Sequence, residues 1–331
     1  MNGDIKASTT KKSVRNSAIS YAGGFVGLNS VNWTPVLDSV LAEIATIEDN
    51  TIPNQNIAEA AIQLAGFDVY YENIIENKLF IRAEFDGFQA YQYDPCFFES
   101  WLHHVAPHAI AHKEVNTPQG NKTVVVITIR GTGMEHDRIF AANALLSDVT
   151  FGYNWAGWEH DEHRGFYLSA DTIWNYLTED DGSGEGYLDR YELGDPSNNK
   201  DLIFLITGHS RGASVANLLS ARIYDECFEY DVGDDTDISK RVFSYDFATP
   251  PVIKIGARET EAYYQNIFHI DNNQDTMINK NMFVNRFEHY GKAIKFNGGE
   301  VDGVASGGHR AEIYQKWVYE GLPDVIENWN N

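Results

Sequence analysis

Leu202-Ile203-Phe204-Leu205-Ile206-Thr207-Gly208-His209-Ser210-Arg211-Gly212 carries an apolar run directly into G-x-S-x-G, and the helix-compatible segment Ala213 to Asp225 follows at once. A strand, a sharp turn and a helix in that order make a nucleophile elbow, which lifts a serine hydroxyl above the end of a sheet. Gly208 and Gly212 stand two residues either side of Ser210, where Cβ atoms would collide in so tight a turn. Gly and Ser pairs also mark ordinary loops; the strand before and the helix after set this segment apart.

Outward from the elbow, Val124-Val125-Val126-Ile127-Thr128-Ile129 is too apolar for a half-exposed edge strand and reads as a buried parallel strand, ended by Arg130-Gly131-Thr132-Gly133. Phe166 to Leu177 has helical spacing and precedes a turn-rich insertion from Glu179 to Asn199. Val215, Leu218, Leu219 and Ile223 give the post-elbow helix an inward face. Arg241 to Phe247, ended by Pro250-Pro251, and Asn266 to Ile270 read as further strands. Strands separated by helices predict an α/β fold with a central, mostly parallel sheet flanked by helices.

The N-terminal third has a different texture. Met1 to Ser30 is polar and Gly-rich; helices are expected from Thr34-Pro35 to about Ile47 and from Asn56 to Ala65, the second stopped by Gly66. Tyr70 to Tyr93 reads as a β-hairpin, with Lys78 to Phe85 as a strand and Asp86-Gly87 as its turn. Trp101 to Ala111 is ambiguous because Pro107 interrupts it. We therefore expect a helical and hairpin elaboration over residues 1–113 packed on a core over residues 114–331, the two forming one compact body.

Composition narrows the function. A chain of 331 residues with 43% hydrophobic residues buries a large core and is not disordered. Its formal charge of -23 repels nucleic acid and disfavours adsorption to an anionic membrane, and is indifferent to a neutral ester. Cys96 and Cys227 are the two cysteines, too few for a disulfide scaffold or a thiolate zinc site. No apolar run is long enough to span a bilayer and no secretory leader is visible, so a cytoplasmic location is the default expectation, secretion being the alternative for a processed chain. The oligomeric state is not legible.

A serine hydroxyl needs a histidine to take its proton, and the histidine needs a carboxylate; in this fold class they follow in the order Ser, Asp, His. Beyond the elbow helix the histidines are His269, His289 and His309. His269 lies in a strand and reads as a wall residue. His309 follows Gly307-Gly308 and precedes Ala311-Glu312-Ile313-Tyr314, a loop at the start of a helix, and His289 in Glu288-His289-Tyr290-Gly291 is its competitor. Asp275 sits in a loop just past a strand, where such acids belong, with Asp271 as the alternative acid and Asp246 third. An oxyanion site calls for the Arg211 backbone N–H and a second donor from an earlier loop, for which Thr132 is placed. His104, His108 and His112 are spaced four apart, but Pro107 breaks the helix that would align them for zinc, and no metal is expected. Nucleotide-binding glycine motifs are absent from the sequence.

From about Val124 to Tyr314 the chain resembles the class 3 lipases, α/β-hydrolases that include fungal triacylglycerol lipases and bacterial relatives. The resemblance rests on the strand ending in Arg130-Gly131-Thr132, on Gly165-Phe166-Tyr167, on Thr207 to Gly212, on Asn272 to Asp275 and on the closing Gly308-His309. It implies that Thr132 serves the oxyanion hole, that Asp275 is the acid, that His289 in His-Tyr-Gly is not the base and that His309 is. It also implies a mobile lid near Met134 to Tyr153, with Phe140, Ala141, Leu145 and Leu146 as its apolar face. Two departures stand out: Arg211 and Ala213 replace the usual Leu and Gly after the serine, and Thr276-Met277-Ile278 replaces the usual x-Val-Pro after the acid.

The expectation is a serine carboxylic ester hydrolase, lipase-like, acting on acylglycerol or related lipid esters with no cofactor and with transient contact to a lipid interface. A short-chain esterase or phospholipase is the alternative within enzymes, and an inactive hydrolase fold used for binding is the alternative outside them.

Overall fold

The computed structural model describes residues 34–48, 50–65, 84–91, 106–131, 160–179, 184–230, 240–257, 264–275, 278, 287–298 and 307–329. Two helices come first, α1 (Thr34–Ile44) and α2 (Gln55–Gln63), then strands β1 (Asp86–Tyr91), β2 (His108–Thr117) and β3 (Gly120–Ile129). Helix α3 (Arg164–Thr178) and the short α4 (Tyr187–Arg190) lead to β4 (Leu202–His209) and α5 (Arg211–Tyr230). Next are β5 (Val242–Phe247), β6 (Ile253–Lys254), β7 (Ile267–Asn272), β8 (Phe287–Glu288) and β9 (Lys292–Phe296). A 3-10 turn (Gly307–His309), α6 (Ala311–Glu320) and α7 (Leu322–Glu327) close the described chain.

The main sheet has the order β1-β2-β3-β4-β5-β7-β9, with β6 and β8 forming a separate two-stranded ribbon. β1, β2 and β3 pair antiparallel, whereas β3, β4, β5, β7 and β9 are all parallel. Every residue of β4, β5 and β7 is buried, as strands covered on both faces require. Alternation along the strands feeds two cores. Ile203, Leu205, Phe243, Tyr245, Phe268 and Ile270 pack with α1, α2, α6 and α7; Leu202, Phe204, Ile206 and Val242 pack with α3 and α5. This is an α/β-hydrolase fold with extra N-terminal helices.

Those N-terminal helices are tied to the central strands. Asn54 caps α2, its side chain accepting from the N–H groups of Asn56 and Ile57 at 2.9 and 3.3 Å. At the other end of α2, the hydroxyls of Thr128 on β3 and Thr207 on β4 donate to the carbonyls of Leu64 and Ala61. β2 runs through residues 113 and 114, so the N-terminal segment and the core share one sheet.

Several expectations change. Asp86-Gly87 is not a turn: it opens β1, with an irregular register between Asp86 and Gln89, and Gly87 takes φ 60 where a Cβ would meet the His112 ring. The ambiguous stretch around Pro107 becomes strand β2 from His108 onward. The strand expected over Asn266 to Ile270 is Ile267–Asn272, which takes Asp271 into the sheet. β9 and the β6–β8 ribbon were not anticipated. Met1 to Ser30, most of the expected hairpin, His104, Cys96, Thr132 and the lid segment lie outside the described residues.

Candidate active site

The Gly208-to-Gly212 turn joins β4 to α5 at the carboxyl end of the parallel strands, where ligands bind in open α/β sheets. Ser210 has φ 58, a left-handed conformation that a side-chain-bearing residue adopts at a cost of about 1–3 kcal/mol. The backbone holds it there. Ser210 N–H donates to the Phe247 carbonyl at 2.9 Å, and Ala213 N–H donates to the Ser210 carbonyl at 2.9 Å. Both flanking glycines are sterically required. A Cβ on Gly208 would meet the Gly212 backbone and lie 2.7 Å from Ala213 N; one on Gly212 would strike the Ile129 carbonyl and lie 2.7 Å from the Arg130 carbonyl carbon. The elbow therefore presses against the end of β3.

His309 reaches the serine from the 3-10 turn before α6. Its Nε2 is 2.7 Å from Ser210 Oγ, and its Nδ1 is 2.7 Å from Asp275 Oδ2. With Nδ1–H donated to the carboxylate, Nε2 presents a lone pair to the serine hydroxyl, the tautomer that accepts its proton. Asp275 is fully buried in the loop just past β7, while His309 is half-buried, so the carboxylate is sealed and the imidazole remains reachable.

Two further side chains that sequence reasoning did not single out fix this chain of contacts. The Tyr314 hydroxyl, on α6, donates to Asp275 Oδ2 at 2.8 Å and accepts from Asn272 N–H at 3.2 Å. Burial, with Asp275 beside it, pushes the Tyr314 pKa well above the usual phenol range, so it stays a donor. Asn272, the last residue of β7, donates to the carbonyls of Gly308 and Gly298 and accepts from Gly298 and Gln274 N–H groups. It clamps the loop carrying Asp275 to the turn carrying His309. A Cβ on Gly308 would come within 2.8 Å of the Gln274 carbonyl, so the two loops are in backbone contact. The His209 ring lies 5.1 Å from that of His309, and burial lowers its pKa to about 3, which keeps an uncharged wall behind the base.

The remaining candidates are elsewhere. His289 Nε2 is 2.7 Å from the Thr249 carbonyl, and its ring stacks on His269 at 4.1 Å. Asp271 accepts from His269 Nδ1 at 2.8 Å and from Thr249 N–H at 3.0 Å. Burial alone would raise the Asp271 pKa, but these contacts hold it below the usual carboxylate value. Asp246 accepts from Asn217 Nδ2 and from Ser244 Oγ, and burial raises its pKa well above the usual value. Arg211 opens α5, so its N–H lies ahead of the helix ladder at the positive end of the helix. Its guanidinium extends to Ser169 Oγ on α3 at 3.5 Å. His108 and His112 lie on a strand, not a helix: His108 Nδ1 is 2.9 Å from the Ala106 carbonyl and His112 Nδ1 is 2.8 Å from the Tyr187 hydroxyl. Among the described residues, the one group arranged to share a metal ion is His269, Asp271 and His289.

Residues 126–281 match the family model described as Lipase (class 3). No curated protein matches the chain significantly. Among solved structures, the chain is similar to a triacylglycerol lipase whose catalytic centre is formed by a serine protease triad, at 15% identity over 72% of this chain and 79% of that one, with a TM-score of 0.46. It is also similar to the Rhizomucor miehei triacylglyceride lipase, at 17% identity over 72% and 78%, with a TM-score of 0.44. For M37 lipase the identity is 12% over 83% and 92%, with a TM-score of 0.44. Through the core that carries the elbow, residues 126–281, the chain is similar to the class 3 lipase family.

Proposed function

We propose that this protein is a serine carboxylic ester hydrolase acting on acylglycerol or related lipid esters. The observation that carries the reading is the unbroken series of contacts from Ser210 Oγ through His309 to Asp275, each 2.7 Å long. Ser210 Oγ attacks the ester carbonyl carbon as its proton passes to His309 Nε2. The charge that develops on the carbonyl oxygen is met by the Arg211 N–H and by Thr132. The bond to the alcohol then breaks, and His309 returns the proton to the leaving oxygen. Water, deprotonated by the same nitrogen, attacks the acyl-serine; the bond to Ser210 Oγ breaks, His309 returns the proton to that oxygen, and the carboxylic acid is released. Asp275 stabilises the imidazolium in both halves without taking up a proton.

A panel of p-nitrophenyl and glyceryl esters of increasing chain length, run with and without a lipid interface, tests the reading. The wild type hydrolyses the panel, Ser210→Ala and His309→Ala fall by roughly ten-thousand-fold or more in kcat, and His289→Ala stays active. Preference for long acyl chains and activation at an interface support the lipase reading. A rate that peaks at short soluble esters replaces it with a short-chain esterase. Hydrolysis by Ser210→Ala at the wild-type rate overturns it.

A further inference from the structure

Beneath α5, β7 carries His269 and Asp271 two residues apart and therefore on one face of the sheet. The segment after β5 brings Thr249 against them, and the residue after β8 brings His289. We infer that His269, Asp271 and His289 form a binding site for a divalent transition metal of the zinc type, separate from the Ser210–His309–Asp275 series. Their potential ligand atoms lie within 4.8 Å of one another. Two imidazoles and one carboxylate are the donor set that suits a borderline-soft ion such as Zn²⁺, which takes nitrogen and oxygen ligands at about 2.0–2.2 Å.

The hydrogen bonding is that of prepared ligands. His289 donates Nε2–H to the Thr249 carbonyl, which fixes its ring and leaves Nδ1 with a lone pair, as metal-bound histidines are held by an outer acceptor. His269 Nδ1 and Asp271 Oδ2 are 2.8 Å apart, and an ion taking the place of the proton between them needs them to part only slightly. Asp271 keeps its second oxygen on Thr249 N–H, which orients it. His289 is half-buried and sits between β8 and β9, outside any strand.

A second observation points to the same place. Thr249 binds the cluster through both its N–H and its carbonyl, yet its buried Oγ1 has no hydrogen-bond partner. Three protein ligands leave a tetrahedral ion one position, filled by water, and that water supplies the missing partner. Lys295 pairs in register with Asp271 across β7 and β9, so its charge opposes the ion and tempers affinity. Binding would pin the segments after β5 and β8 to β7, whose last residue, Asn272, leads directly into the loop that ends in Asp275.

The test is calorimetric titration of the chelator-treated full chain with ZnCl₂ alone, repeated in buffers of different ionisation enthalpy. One equivalent binds, any proton exchange being corrected for by the choice of buffers, and Co²⁺ added in its place gives the visible absorption of a low-symmetry nitrogen–oxygen site. Asp271→Asn weakens zinc by roughly 10- to 100-fold or more, and His289→Ala abolishes the single equivalent. The thermal midpoint of the zinc-free variants checks that they fold. Absence of stoichiometric zinc binding by the wild type overturns the inference whatever the variants do. So does undiminished binding in a folded His269→Gln, His289→Gln double variant, which would place the ion on other histidines.

Discussion

Tyr314 meets the candidate site through Asp275. Its hydroxyl shares Asp275 Oδ2 with His309, so two donors compete for one oxygen. Tyr314→Phe removes a charge-assisted bond of about 1–2 kcal/mol, and kcat is expected to fall about 5- to 30-fold with KM nearly unchanged. With one donor fewer, Asp275 Oδ2 is left to the His309 Nδ1–H alone, and the pH profile of kcat/KM is expected to change shape. A profile of unchanged shape would show that Tyr314 only fills space. That Ser210, Asp275 and His309 come into contact could be expected from the sequence, because a hydroxyl, an imidazole and a carboxylate were sought in that chain order. Tyr314 and Asn272 could not be picked out in this way, because a buried tyrosine and a strand-end asparagine gain their roles only when α6 folds against β7.

Steric fit governs the turns that carry the site. Gly212 packs on the end of β3, where added side-chain atoms meet backbone that cannot rotate away. Gly212→Ala is expected to cost about 3 kcal/mol and to lower activity, read by chemical denaturation together with ester turnover. Asn272→Ala breaks the clamp between the acid loop and the histidine turn and strands the Gly308 and Gly298 carbonyls. A loss of about 2–4 kcal/mol, with a larger fall in kcat than global unfolding explains, is the expected outcome. β4 and α5 could be read in advance because an apolar run and a 3.6-residue period leave little choice. β9 could not: Lys292-Ala293-Ile294-Lys295-Phe296 is short and carries two lysines, as edge strands do. Asp86-Gly87 misled because positive φ at glycine serves an irregular strand as readily as a hairpin turn.

Across the whole molecule, buried neutral histidines make stability depend on pH. Burial lowers His108 to about 4 and His209 to about 3, whereas both titrate near 6.5 in the unfolded chain. Their contribution is complete above pH 6.5 and is lost as pH falls toward those folded values, because the unfolded chain binds protons that the folded one refuses. Between pH 7 and pH 5 each costs about 2 kcal/mol, read as a falling denaturant midpoint, and His108→Gln should flatten the slope. Relief of repulsion within a chain of formal charge -23 works in the opposite direction, so the comparison belongs at fixed ionic strength. The same fold places one serine at the carboxyl end of a parallel sheet with a histidine against its hydroxyl. Covalent labelling with a fluorophosphonate, followed by peptide mass spectrometry, asks directly whether that serine is activated. The adduct should fall on the peptide containing Ser210, form at a rate that collapses in His309→Ala, and be absent from Ser210→Ala. Undiminished labelling of Ser210→Ala, or an adduct on another serine of the wild type, would contradict the assignment of Ser210 as the nucleophile.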